Sequence, residues 1–290
     1  MDYKVILKNA GHLWGKEIET DTLHETLRRE LGDDKMHIAC IGSAGEKGTL
    51  FAAIMSGRRS ASRGGVGTVM GAKNLKAIAV RGTNKIEVAD RSKLQTITRD
   101  LVSSASNTDL FMAFSHLGTA GMTALMHEMG MHPVKNFQEG QMPDFTGLES
   151  DKLEELLVKN EGCFGCFIQC GSILQVKKGL YKGNPVCGPE YETMWAFGAN
   201  LYSTDLGFVI AVNKLCDDYG LDTITAGSSI AFAMELFEKG ILTRGDLDGA
   251  QLTWGNQQEA YKLLMKIVKR EGIGDILALG TRKAAEKIGK

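Results

Sequence analysis

Cys163-Phe164-Gly165-Cys166-Phe167-Ile168-Gln169-Cys170 sets three thiols within eight residues in the pattern C-x2-C-x3-C. The spacers are too short to carry the sulfurs far apart, so the three can converge on one centre, and a metal or cluster site is the direct reading. Gly162, Gly165 and Gly171 flank and separate the thiols, letting the backbone fold around an inorganic core and point amides at it. Three small apolar residues buried in a reducing compartment are the plainer alternative, and spacing among glycines favours ligands. Structural zinc brings a second C-x2-C or an H-x3-5-H half-site, which the sequence lacks, so an iron–sulfur cluster is preferred. Of the remaining cysteines, Cys187 is near enough to complete a site. Cys40 and Cys216 sit in apolar patterns that suit buried structural thiols, and none of the three stands out as a fourth ligand.

Outward from that stretch, Gly188-Pro-Glu-Tyr-Glu192 reads as a helix start, with Gly188 as cap and Pro189 at the first helical position. Glu190 and Glu192 then lie at a helix N-terminus, where the carboxylate form is favoured, and being two apart they face opposite ways. Either is a candidate base or simply a helix-start acid. Helices are expected over 205–219 and 225–239, joined by Asp217-Asp218-Tyr219-Gly220-Leu221-Asp222-Thr223, with Gly220 after the helix end and Asp222 or Thr223 capping the next. Further helices are expected over 257–271 and 275–288.

Towards the N-terminus, 3–7 and 36–41 read as strands and 20–31 as an amphipathic helix carrying Leu23, Leu27 and Leu31. The stretch 57–76 combines three arginines, two lysines and five glycines, a composition suited to anionic ligands through backbone N–H nests and guanidinium forks. It fits neither a Walker A loop nor a dinucleotide fingerprint, and a solvated basic loop is the plainer alternative. Strands over 76–81 and 85–88 close this region. Helices follow over 91–104 and 150–159, the second with Ser150 as cap, separated by a methionine-rich segment and a loop over 133–147. His116, His127 and His132 are expected to be structural or on the surface, and the methionines core filler.

At 290 residues with 43% hydrophobic and 24% charged side chains, the chain can bury a substantial core. A net charge of −1 supplies no composition-level argument for nucleic acid or an anionic membrane. No window is apolar for the ~20 residues of a membrane helix, and the first residues do not resemble a signal peptide. Six cysteines in a chain this long do not suggest a secreted disulfide framework. A cytoplasmic protein is expected, with neither nucleic acid nor membrane as partner. There is no repeat and no low-complexity tract.

Four motifs in series, Arg63-Gly-Gly-Val-Gly-Thr-Val-Met-Gly-Ala-Lys-Asn-Leu-Lys-Ala-Ile-Ala-Val, the cysteine cluster, Gly188-Pro-Glu-Tyr-Glu-Thr and Asp217-x-x-Gly-Leu-Asp222, resemble the tungsten-containing aldehyde ferredoxin oxidoreductase family. The resemblance runs over essentially the whole chain. It implies a tungsten or molybdenum ion held by two pterins, a [4Fe-4S] cluster, Mg2+ at the pterin phosphates, and oxidation of an aldehyde to a carboxylate with electrons passing to ferredoxin. On that resemblance Cys163, Cys166 and Cys170 are cluster ligands. Asp217 and Asp222 bind pterin, Arg63, Gly64, Gly65 and Gly67 belong to the loop around its phosphate, and Glu192 stands near the metal as proton carrier.

Members of the family are longer, with sheet before the start of this chain and, beyond its end, a second D-x-x-G-L motif whose cysteine is the fourth cluster ligand. Ala211 and Lys214 replace the Glu-x-x-His of members that bridge subunits with a metal, and Ser43 stands where proline is common. The expected fold is α+β and predominantly helical: the end of a pterin-binding sheet domain over 1–89, then a helical domain over 90–290. Alone, such a chain is expected to be inactive. A homo-oligomer or a complementary C-terminal polypeptide is the expected assembly. The alternatives are a related tungstoenzyme reducing an aromatic acyl-CoA, or a non-catalytic cluster-binding or structural zinc protein.

Overall fold

Residues 5–289 are described by the computed structural model. In chain order the elements are α1 (Thr20–Leu31), β1 (His37–Ile41), α2 (Ser43–Glu46), β2 (Ile54–Ser56), β3 (Arg59–Ala61), α3 (Val66–Ala72), β4 (Ala77–Val80), α4 (Arg91–Ala105), α5 (Asp109–Leu117), α6 (Thr123–Glu128) and α7 (Ser150–Leu156). They continue with β5 (Leu157–Glu161), β6 (Gly171–Leu174), β7 (Val186–Cys187), α8 (Tyr191–Phe197), α9 (Leu206–Tyr219), α10 (Thr223–Glu238), α11 (Gln257–Lys269), α12 (Ile273–Leu277) and α13 (Thr281–Ile288). The fold is α+β and mostly helical. None of its helices is long and apolar enough to cross a membrane, among the described residues.

Two compact units divide the chain. The first takes the described residues up to Arg81 together with Leu215–Asp222 and those from Met265 onward, and the second takes Gly82–Lys214 and Thr223–Leu264. Segments 215–222 and 265–289, expected with the helical domain, are thus part of the first unit. Backbone bonds show why: Ala53 N–H donates to Gly220 O (2.8 Å), Asp222 N–H to Phe51 O (3.0 Å) and Leu50 N–H to Ala278 O (2.9 Å).

The first unit is built on an antiparallel sheet of order β3-β2-β1-β4. Alternation along β1 buries Ile38 and Cys40, which join Leu13, Leu23, Ala53 and Met55 in one core, with Leu27 and Met36 packed against it. Leu23 and Leu27 lie four apart and so share the face of α1 turned to the sheet. Gly32, left-handed at φ 69°, ends that helix. A fully buried ion pair, Lys76 with Glu46, ties α2 to the start of β4, and Lys76 Nζ also donates to Ile41 O (3.0 Å).

The second unit carries the small antiparallel sheet β5-β6-β7 and the helices around it. α8 is its centre, with Thr193 to Phe197 all buried. A Cβ on Gly227 of α10 would lie 2.5 Å from Ala196 O, so α8 and α10 cross backbone to backbone.

Several elements differ from the sequence reading. Of the strand expected over 3–7, residues 3 and 4 lie outside the described residues and 5–7 are not extended in a sheet. Residues 85–88 form no strand either, and Ile86 is 91% exposed. The helix expected over 150–159 stops at Leu156 because 157–161 pairs with β6. Its N-cap is Glu149 rather than Ser150. The helix expected over 275–288 is two, interrupted at Gly280, whose φ of 78° leaves the helical region. Within 57–76, the basic stretch contains β3 and α3, which the sequence reading did not assign.

Candidate cofactor cradle and cysteine loop

In the first unit, the irregular segment Thr49 to Ala53 is bound on both sides. On one side lies the glycine loop leading into α3: Gly67 N–H donates to Ala52 O (2.9 Å), and the Thr68 hydroxyl donates to Thr49 O. A Cβ on Gly65 would meet Leu50 O at 2.1 Å and one on Gly67 would meet Ala53 O at 2.4 Å. Both glycines therefore serve the chain's own close packing. Gly64, at φ 88°, has open space where its Cβ would be.

On the other side lies the D-x-x-G-L-D turn. Gly220, at φ 72°, turns the chain out of α9 as expected for a residue after a helix end, and Leu221 bridges Ala52. The Thr20 hydroxyl donates to Asp217 O (2.9 Å). Arg63 closes the arrangement, its Nη1 2.7 Å from Asp222 Oδ2. The Asp222 side chain is only 3% exposed, whereas that of Arg63 is 63% exposed. Arg63, Gly64, Gly65, Gly67 and Asp222 are thus brought together around one segment, with Asp217, half-buried, at the head of the turn. As a donor set this suits a pterin with a phosphate: acid acceptors for ring and amino N–H groups, and a guanidinium beside an open glycine for the anion.

In the second unit, the three thiols lie in the loop that joins β5 to β6. The strand pair Glu161 and Gly171 closes that loop at its base, bringing Gly162 and Cys170 close together. Cys166 N–H donates to Cys163 O (3.0 Å), and Gly165 at φ 70° occupies the third position of that turn, as a type II turn requires. Phe167 stacks on Phe111 of α5 (5.5 Å between centroids). Cys163 is exposed, and Cys166 and Cys170 are half-buried. Among the described residues no three His, Cys, Asp or Glu side chains are grouped to hold a single metal ion. A polynuclear cluster instead spreads its thiolates over several irons, and three thiols on one hairpin loop suit that donor chemistry. Cys187 sits in β7 opposite Ile173.

Cys40 and Cys216 are buried, as expected of structural thiols. Burial, opposed by the nearby Lys76, pushes the Cys40 thiol up to about 12. Burial, reinforced by Asp217, Asp222 and Asp218, holds Cys216 well above the usual thiol range.

α8 starts two residues later than expected. Gly188 is bound to the sheet, its N–H donating to Ser172 O (2.8 Å), so Glu190 is the N-cap and Tyr191 the first helical residue. Glu190 accepts from the Thr119 hydroxyl, while Glu192 lies exposed in the first turn. His132, expected to be structural, is fully buried among His127, Phe145 and Tyr191, with Nδ1 3.2 Å from the Tyr191 hydroxyl. Burial, then His127, pushes its pKa down to about 4. Thr119 was missed as a neighbour of the acidic helix start, because no local pattern announces a contact across some seventy positions.

Comparison with known proteins bears on the family. Residues 1–82 match the family model for the N-terminal domain of aldehyde ferredoxin oxidoreductase, and 94–290 match that for its domains 2 and 3. The chain is 42% identical to the tungsten-containing aldehyde ferredoxin oxidoreductase of Pyrococcus furiosus and 40% identical to that of Thermococcus kodakarensis, over 99% of its own length and 47% of theirs. It spans about half the length of the curated relatives it matches. A solved structure, the active-site complex BamBC of benzoyl-coenzyme A reductase with 1,5-dienoyl-CoA, superposes with a TM-score of 0.79 at 32% identity, over 98% of this chain and 44% of that one. With two family models together matching nearly all of its residues, the chain belongs to the aldehyde ferredoxin oxidoreductase family.

Proposed function

We propose that this chain supplies part of a tungsten–pterin oxidoreductase that converts an aldehyde to a carboxylate and passes electrons through a [4Fe-4S] cluster to ferredoxin. The observation that carries the reading is the cradle around Thr49 to Ala53, which joins the glycine loop to the D-x-x-G-L-D turn through Arg63 and Asp222. When bound, the metal–pterin group supplies two-electron redox chemistry and the cluster supplies one-electron steps.

The chain's own residues have separate tasks in this reading. Asp217 and Asp222 would accept hydrogen bonds from the pterin's N–H groups, and Arg63 with the open side of Gly64 would receive its phosphate, whose charge Mg2+ would help to neutralise. Cys163, Cys166 and Cys170 hold irons of the cluster. Glu192, exposed at the start of α8, accepts the proton released as water or an aldehyde hydrate is activated. In this reading a complementary polypeptide equivalent to the rest of the longer relatives completes the site, and the chain alone is inactive.

The test is anaerobic metal analysis of the chain, alone and with such a complement. Tungsten or molybdenum, phosphorus and about four irons per chain are expected. Zinc alone would replace this reading with that of a structural zinc protein. A second reading, reduction of an aromatic acyl-CoA, is favoured by the likeness to the benzoyl-coenzyme A reductase complex. Dye reduction with aldehydes, set against dye oxidation with aromatic acyl-CoA thioesters, separates the two.

A further inference from the structure

We propose that Gly118 and Thr119 form a positioning device for the site read above, one turn that holds both the cysteine loop and the start of the helix bearing Glu192. The proposal rests on that reading for its functional meaning, although the geometry belongs to the second unit alone. α5 ends at Leu117 and the chain leaves through Gly118 at φ 63°, ψ −152°, a conformation open essentially to glycine. A Cβ there would lie 2.1 Å from the carbonyl oxygen of Cys170, so this backbone and the third thiol residue are in direct contact.

Thr119, the next residue, engages the other side. Its hydroxyl accepts the Tyr191 N–H (3.0 Å) and donates its proton to a carboxylate oxygen of Glu190. One hydroxyl can do both, having one proton and two lone pairs. Tyr191 is the first residue of α8, so its amide is one of the donors a helix leaves without an internal partner. Glu190, the N-cap residue, makes no side-chain cap bond of its own, and Thr119 supplies the missing acceptor from another part of the chain. His132 meets the same tyrosine at its hydroxyl, fixing the ring while Thr119 fixes the backbone.

A single peptide link, about 3.8 Å between Cα atoms, thus separates the contact at Cys170 from the contact next to Glu192. Displacement on either side is passed to the other. Where catalysis depends on groups held to within an ångström, a shift of that size costs up to about a hundredfold in rate. Thr119 touches none of the reacting groups in this scheme and acts through Glu190 and Tyr191.

Thr119→Val keeps the side-chain shape and removes both roles of the hydroxyl, Thr119→Ser keeps them, and Gly118→Ala presses a methyl group onto Cys170 O. Hydrogen exchange on the full chain as purified is expected to quicken about tenfold in T119V, both at 190–193 and in the loop 162–170, with T119S close to the parent. G118A is expected to quicken the same two segments, and if it does not fold, the two Thr119 variants decide. In protein loaded with iron and tungsten and joined to the complementary polypeptide, T119V is expected to change the EPR line shape of the reduced cluster and to lower kcat at unchanged KM. Exchange altered only at 190–193 in T119V, or T119S behaving as T119V does, would overturn the proposal. A parent chain that takes up no iron would defeat the functional reading, while the exchange result still decides whether the turn couples the two segments.

Discussion

A carboxylate as enclosed as that of Asp222 needs a partner, and Arg63 is one, 159 positions away in sequence. Arg63→Met is expected to lower stability to urea by about 1–2 kcal/mol, less than loss of a fully buried pair because the arginine side chain is largely exposed. Asp222→Asn, which removes the charge with its shape kept, should cost less, and a double-mutant cycle gives the coupling. The thiols divide in the same way, by enclosure. In metal-free protein, Cys163 is expected to be alkylated within minutes at pH 8, and Cys40 and Cys216 only after unfolding, because alkylation needs an exposed thiolate. Peptide mass spectrometry of the alkylated chain reads this directly. Both motifs were visible as residues before the fold was known. The pairing between them was not, since a side-chain contact over such a separation leaves no local mark.

Among the elements, α3 is set by how closely its first turn approaches another backbone. Gly67→Ala would place a methyl group 2.4 Å from Ala53 O and is expected to destabilise the first unit by about 1–3 kcal/mol, read as a lower urea midpoint. Gly64→Ala meets no atom, and its smaller cost comes from φ 88° alone. Helix periodicity is legible where it serves burial, as in α1, whose ends agree with the sequence reading. It is equally legible in α4, yet that helix buries none of its residues, and Leu94, Ile97 and Leu101 are each about half exposed. Periodicity shows which face is apolar without showing what covers it. Where pairing competes with local propensity, as at 157–161 and at Gly188, the neighbouring strand decides, and it is invisible in a window of ten residues.

For the whole molecule, buried imidazoles make stability depend on pH in a definite direction. Burial lowers the affinity of His24 and His132 for protons, the latter to about 4 against 6.5 when unfolded. Between those values the unfolded chain binds more protons, so stability rises with pH, is complete above about 6.5 and is lost as pH falls towards 4. His132 contributes at most about 3 kcal/mol across that window. Urea midpoints at pH 4.5 and pH 7 should differ accordingly, and His132→Gln should flatten the difference.

The sequence by itself determined the chemistry available to this protein: three thiols on one short loop, a basic glycine stretch, an acidic helix start and a D-x-x-G-L-D turn, each legible because its residues are neighbours. Only the tertiary structure decided that Asp222 answers Arg63, that 215–222 belongs with the first unit, and that Thr119 caps a helix from 72 positions away. The physical reason is that hydrogen bonds and burial act over a few ångströms in space, and the residues they join are chosen by how the whole chain packs.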